Sequence, residues 1–209
     1  MATGSLYTYG VIEEESLSLS IDAVSGAEQV YTIDQPPFAA IVSELDDMDV
    51  PESEENIRAH SEVLNTVLSY DGGRTVVPMQ FGMVFAGPGQ VRNVLRGSRP
   101  AFTRALRFVD GAVELGIKVI GETDADVDVP EIEETAEATF SPLSKSVAEN
   151  TLFSDRLLLN RAYLVDRSDR KAFDEAVRSF DDTVPDATVQ YTGPWAPYNF
   201  VDITIGAER

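Results

Sequence analysis

Four groups of residues have the types and spacing from which chemistry could be built. Asp124, Asp126 and Asp128 stand at alternate positions, as the first ligands of a calcium loop do. Such a loop also needs a glycine at its sixth position and a bidentate glutamate at its twelfth. Val129 and Thr135 occupy those places, so the calcium reading fails and a solvated acidic segment remains. His60, the only histidine, follows Ile57 and precedes Leu64 at helical spacing. That position favours a packed imidazole over a general base, and no G-x-S-x-G turn supports a nucleophile partner. Gly87-Pro88-Gly89 precedes helical sequence but fits neither glycine-rich phosphate pattern, and Pro88 removes an amide such a loop would use. The fourth group is Arg92, Arg96, Arg99, Arg104 and Arg107, in a stretch that contains no acid. Helical spacing sets Arg92 beside Arg96, Arg96 beside Arg99, and Arg104 beside Arg107. Two uses fit this local reversal of charge: docking a partner, or internal pairing with the acidic segment.

The elements that position these groups read as two α+β halves. In the first, Leu6 to Ile12 forms a strand with Tyr7, Tyr9 and Val11 on one side, and Phe38 to Val42 forms another. Pro51 and Ser53 start a helix with Glu54 and Glu55 in its first turn, and Ile57, Leu64, Val67 and Leu68 give it an apolar stripe. Asp71-Gly72-Gly73 turns into a β-rich run, Thr75 to Phe85; helical sequence from Gln90 to Val109 is interrupted near Pro100. In the second half, Val113, Leu115, Ile117 and Val119 alternate with polar or small residues as a half-buried strand. A short helical segment is expected around Ser141 to Asn150, a strand from Leu157 to Val165, and a helix from about Ser168 with Phe173, Ala176, Val177 and Phe180 on one face. A last strand is expected from Asn199 to Ile205. These elements make up most of a βαββαβ unit. The expected domains are therefore residues 1–110, α+β, and 111–209, ferredoxin-like with an antiparallel sheet and an acidic linker segment over 122–137.

Composition limits the function. With no cysteine and one histidine, disulfides, thiolate metal sites, multi-histidine sites and a cysteine nucleophile are excluded. No apolar run reaches the ~18 residues of a membrane span, and the first residues lack the pattern of a secretory signal; the reading is cytoplasmic. The 36 acids outnumber 16 bases, a net charge of −20, and only Lys118, Lys145 and Lys171 are lysines. Acid excess with few lysines points to a halophilic protein, whose self-repulsion is screened at a Debye length of about 3 Å in ~1 M salt. Nucleic acid is an unsuitable partner for such a surface.

The string Thr192-Gly193-Pro194-Trp195-Ala196-Pro197-Tyr198-Asn199-Phe200-Val201 stiffens a turn and sets three aromatics around it. It resembles the tGPWPPYsFv signature of the GvpF/GvpL gas vesicle protein family. Five further segments are similar in the family's order. These are Tyr7 to Ile12, Ala39 to Ser43, Val77-Pro78-Met79-Gln80-Phe81-Gly82, Gly111 to Val119, and Leu158 to Val165. Gln80 departs from the family's arginine at that place, and Arg74 is the nearest substitute. The resemblance spans nearly the whole chain, whose length is nearer the F-type than the L-type members. It implies two α+β domains, the second ferredoxin-like, with Pro78, Phe81, Gly82, Gly193, Pro194, Trp195, Pro197, Tyr198 and Phe200 as motif positions. It also implies a non-catalytic assembly accessory associated with gas vesicles, whose partners are the small shell subunit GvpA and other accessory Gvp proteins. Limiting premature GvpA aggregation is the expected role, and a stoichiometric minor place in the finished shell is the alternative. No cofactor, metal or catalytic residue comes with it.

Overall fold

The computed structural model describes residues 4–122, 128–184 and 186–203. They form two compact units, one running to Asp110 with the residues from Val201 counted in it, the other Gly111–Phe200.

The first unit is built on β1 (Ser5–Glu13), β2 (Ser18–Ser20), β3 (Gln29–Gln35), β4 (Phe38–Leu45), β5 (Val77–Pro78) and β6 (Val84–Phe85). The sheet order is β2-β3-β4-β1-β5, and β6 also pairs with β1. β1 is buried along nearly its whole length, as a central strand flanked on both edges must be. The expected β-rich run from Thr75 to Phe85 is thus two short pairings on one edge of β1, with a loop between them. Helix α1 (Glu54–Ser69) begins where the sequence signals it, with the Ser53 hydroxyl accepting the Asn56 N–H. Its stripe is Asn56, His60, Val63, Leu64, Val67 and Leu68, whereas Ile57 is exposed because it lies one position round the helix. Helices α2 (Pro88–Gly97) and α3 (Arg99–Phe108) are separate, each with a proline in its first turn, and the break falls at Ser98.

The second unit comprises β7 (Ala112–Gly121), α4 (Val129–Phe140), β8 (Ser146–Glu149), β9 (Leu157–Asp166), α5 (Arg170–Asp181) and β10 (Ala187–Trp195). Its sheet order is β10-β7-β9-β8, all antiparallel, which is the complete ferredoxin-like arrangement. Phe140 of α4 and Phe173 of α5 pack on Tyr163 of β9, so the odd-numbered residues of the central strands face the helices.

Three expectations for this half are corrected. The acidic stretch 122–137 is a helix from Val129 onward, not a linker. Asp128 accepts the Glu131 N–H at 3.2 Å, and Ile132, Ala136 and Phe140, at helical spacing, are buried. Acid density concealed that stripe; the remaining aspartates of the failed calcium motif, Asp124 and Asp126, lie outside the described residues. The stretch Ser141 to Asn150 holds a single 3-10 turn and then β8 rather than a helix. Among the described residues the last strand is β10, which takes in the first four residues of the proline-rich string, while Tyr198–Phe200 forms a 3-10 turn; Thr204 and Ile205, the end of the expected strand, lie outside the described residues.

Candidate functional site

In the first unit the segment Pro78 to Gly82 is pinned to β1 by backbone and side chains together. The Met79 N–H donates to the Tyr9 carbonyl at 2.8 Å, and the Thr8 N–H donates to the Met83 carbonyl at 2.9 Å. The Tyr7 hydroxyl lies 2.8 Å from His60 Nδ1 and accepts the Gly82 N–H at 3.1 Å. Gly82 has a φ of +84°, the left-handed region that glycine adopts without strain. Phe81 stands edge-on to both Tyr7 and His60, and Tyr9 stacks on the imidazole. Gly10 is required beneath this cluster, since a Cβ there would lie 2.8 Å from the Val77 carbonyl oxygen.

The electrostatics of the cluster make it a packing element. Burial pushes the His60 pKa down to about 4, against a hydrogen bond to the Met79 backbone that raises it. Burial likewise pushes the Tyr7 hydroxyl well above its ordinary range. Both groups are neutral near pH 7, so His60 is neither cationic nor presented to solvent as a base. Among the described residues no group of three or more His, Cys, Asp or Glu is arranged to hold a metal ion. Arg74, the substitute considered for the family arginine, is committed elsewhere. Its Nε and Nη2 meet Glu15 at 2.8 and 2.6 Å, it also bonds the Tyr70 carbonyl, and its guanidinium lies over the Tyr70 ring. That bonding holds the Glu15 carboxyl below its usual range.

In the second unit the proline-rich string crosses the face of the sheet opposite the helices. Trp195, Glu114, Leu164 and Ser146 are paired in one row across all four strands. The chain leaves β10 at Trp195 and doubles back over that row. The Asn199 N–H and side-chain amide donate to Glu114 Oε2 and Oε1 at 2.9 and 2.6 Å, and the Tyr198–Phe200 turn packs against β8. Under this strap Glu114 is only 6% exposed and Leu164 is fully buried, although both point away from the helices. Burial raises the Glu114 pKa, and the two bonds from Asn199 oppose the rise. Gly193 makes the turn possible, with φ at +114° and no room for a Cβ, which would sit 2.8 Å from the Glu114 carbonyl oxygen. Ala196 and Pro197 are buried, while Trp195 and Tyr198 remain 40% and 39% exposed.

The structure thus brings Pro78, Phe81 and Gly82 together with Tyr7 and His60, and brings Trp195 to Phe200 onto Glu114. The sequence reading missed Glu114 and Asn199 as partners. It placed Glu114 on the polar side of a half-buried strand, and an acid amid alternation gives no sign of a distant cover. It also missed Leu152 and Phe153, 51% and 73% exposed in the β8–β9 loop, where Lys118 lies 5.5 Å from the Phe153 ring centre. Arg92, Arg96, Arg99, Arg104 and Arg107 are all exposed, and none of these five enters an ion pair among the described residues. Glu137 of the acidic segment instead faces Arg161, 3.5 Å away, which also meets Glu149 at 3.1 Å. Among the described residues no helix is long and apolar enough to cross a membrane.

Comparison with known proteins covers nearly the whole chain. The family described as "Gas vesicle synthesis protein GvpL/GvpF" matches residues 5–130 and 128–202. Gas vesicle protein F of Haloferax mediterranei is 49% identical over 98% of this chain and 97% of its own. Gas vesicle protein F1 of Halobacterium salinarum is 47% identical over 99% and 97%. The crystal structure of GvpF from Anabaena sp. PCC7120 superposes with a TM-score of 0.86 at 20% identity, covering 97% of this chain and 98% of that one. GvpF from Microcystis aeruginosa gives 0.84 at 18%, covering 96% and 100%. The two-unit α+β fold is therefore that of solved GvpF chains, and the protein belongs to the GvpL/GvpF family of gas vesicle synthesis proteins.

Proposed function

We propose that this protein is a cytoplasmic accessory of gas vesicle assembly that binds the small shell subunit GvpA and limits its premature aggregation. The observation that carries the reading is the pair of exposed aromatics, Trp195 and Tyr198, on a strap anchored at Glu114 and Gly193. Rigid, partly exposed Trp and Tyr side chains bury large area on binding at little cost in side-chain freedom, and they are enriched at binding hot spots. A subunit that forms an apolar wall needs such a cover before it assembles, and more so in high salt. The net charge of −20 keeps the pair soluble. No catalytic step belongs to this role, and the neutral, enclosed His60 is consistent with that.

The test is co-expression of the tagged protein with GvpA, with recovery of the complex in molar salt. The Trp195→Ala/Tyr198→Ala variant, shown by circular dichroism to be folded, should recover at least about tenfold less GvpA, since each hot spot contributes on the order of 2 kcal/mol or more. Absence of any complex with the unaltered protein, together with normal vesicles in a deletion strain, would sink the reading. Retention of the protein in washed, intact vesicles at fixed ratio to GvpA would move it from transient holder to minor shell component.

A further inference from the structure

A second surface, on the first unit, has a different chemistry. Helix α2 turns Val91 and Leu95 inward, and α3 turns Phe102 and Leu106 inward. The opposite arcs carry Arg92, Arg96, Arg99, Arg104 and Arg107, all exposed. Among the described residues Arg92 and Arg96 meet only uncharged acceptors. Arg92 Nε donates to the Asp34 carbonyl at 3.2 Å, and Arg96 donates to Asn93 Oδ1 at 3.2 Å and Gln35 Oε1 at 3.3 Å. These bonds orient the guanidinium groups without neutralising them. Phe108 is 46% exposed and follows Arg104 by one helical turn, so it lies beside Arg104 on that surface. Outside this stretch the chain carries 36 acids against 11 bases, so the cations form an isolated island.

We propose that the outward face of α2 and α3 is a docking surface for an acidic amphipathic helix of a partner protein. Carboxylates one helical turn apart match arginines at i, i+3 and i, i+4, and each can accept a guanidinium in bidentate fashion. An apolar residue between them covers Phe108, giving the aromatic and arginine mixture typical of interface cores. Nucleic acid fits less well, because the anionic remainder of the chain repels a phosphate backbone that extends past the island. The surface is independent of Trp195 and Tyr198, and the proposal does not rest on the GvpA reading.

The probe is a labelled helical peptide with glutamates at i and i+4 flanking a leucine stripe, compared with the same peptide bearing lysines in their place. Binding is read by fluorescence anisotropy in the salt concentration at which the protein is folded by circular dichroism. The glutamate peptide should bind at least about tenfold more tightly than the lysine peptide. Arg104→Glu/Arg107→Glu, which disturbs none of the hydrogen bonds of Arg92 or Arg96, should remove about tenfold or more of that affinity. Arg58→Glu, 72% exposed on α1, should leave it unchanged. Equal binding of the two peptides, or an unaltered affinity in the double variant, overturns the proposal. A dimer of the protein alone in sedimentation, abolished by the same double variant, would also overturn it, by assigning the face to a second copy.

Discussion

In the first unit a buried polar pair is neutral, Tyr7 and His60, whereas the strapped face of the second unit buries a carboxylate, Glu114. The first pair is enclosed by rings: Tyr9 and Phe81 pack on the imidazole, and burial drives His60 toward the uncharged form. Glu114 is enclosed by backbone and amide donors that satisfy both its oxygens. The difference teaches how each motif acts. Pro78 to Gly82 completes an aromatic core and is held by it, while Trp195 to Phe200 is a cover fastened at one polar point. The two units should therefore answer acid with opposite signs.

The largest expected effect separates the two cores. Phe140 is fully buried against Tyr163, Phe173 and Phe180, and Phe140→Ala should cost about 3–5 kcal/mol. Trp195, the only tryptophan, reports the second unit by fluorescence, and its denaturant midpoint should fall. Hydrogen-exchange protection on β1 and β4 should be retained; a loss of equal size there would mean the two cores cannot be treated apart.

Next in size is the response of His60 to acid. From pH 6.5 down to about 4 the unfolded chain takes up a proton that the folded imidazole refuses. Stability of the first unit is intact above that window and falls within it, by up to about 3 kcal/mol. Protection of the β1 amides should decline accordingly in the native protein. In His60→Phe that component of the decline should vanish, and an unchanged pH profile would show that the imidazole titrates freely in the fold.

The smallest effect concerns Glu114, and its sign is reversed. The folded carboxyl holds its proton to a higher pH than the unfolded value of 4.5, so lowering pH through that raised value favours the folded second unit. Glu114→Gln removes the titration and replaces one of the acceptors facing Asn199 with a donor, at a cost on the order of 1 kcal/mol. Relative to this variant, the native protein's Trp195 transition should move to higher denaturant as pH falls. Movement in the other direction would make Glu114 an ordinary ionised carboxylate.

Much of the fold was legible because the residues repeat at the period of their element. Tyr7, Tyr9 and Val11, or Val113 to Val119, or Phe173, Val177 and Phe180, each announce one buried face. β10 carries the same sign, with Ala187, Val189 and Tyr191 alternating with exposed Thr188, Gln190 and Thr192. Its end is masked because the proline-rich string begins inside it, at Thr192, and reads as the approach to a strand rather than the exit from one. α4 was hidden by its acids, and β3 by having its buried Val30 and Ile33 three residues apart, off the period of a strand. The arginine face was legible, since exposure follows from helical spacing around Leu95 and Leu106. The contact of Glu114 with Asn199 was not, because 85 residues separate them and no local pattern pairs an acid with a distant cap.

That separation has a consequence for synthesis. β7 leaves the ribosome well before the strap that covers it, and closing so long a loop carries an entropic cost that only the finished sheet can offset. Until Asn199 emerges, Glu114 faces water, and Leu164 waits uncovered beside it on β9. A protein whose proposed work is to shield an aggregation-prone subunit therefore passes through a stage in which its own sheet is open. The ionised carboxylate at the middle of that sheet, held until the strap closes, is a built-in deterrent to sticking during that interval.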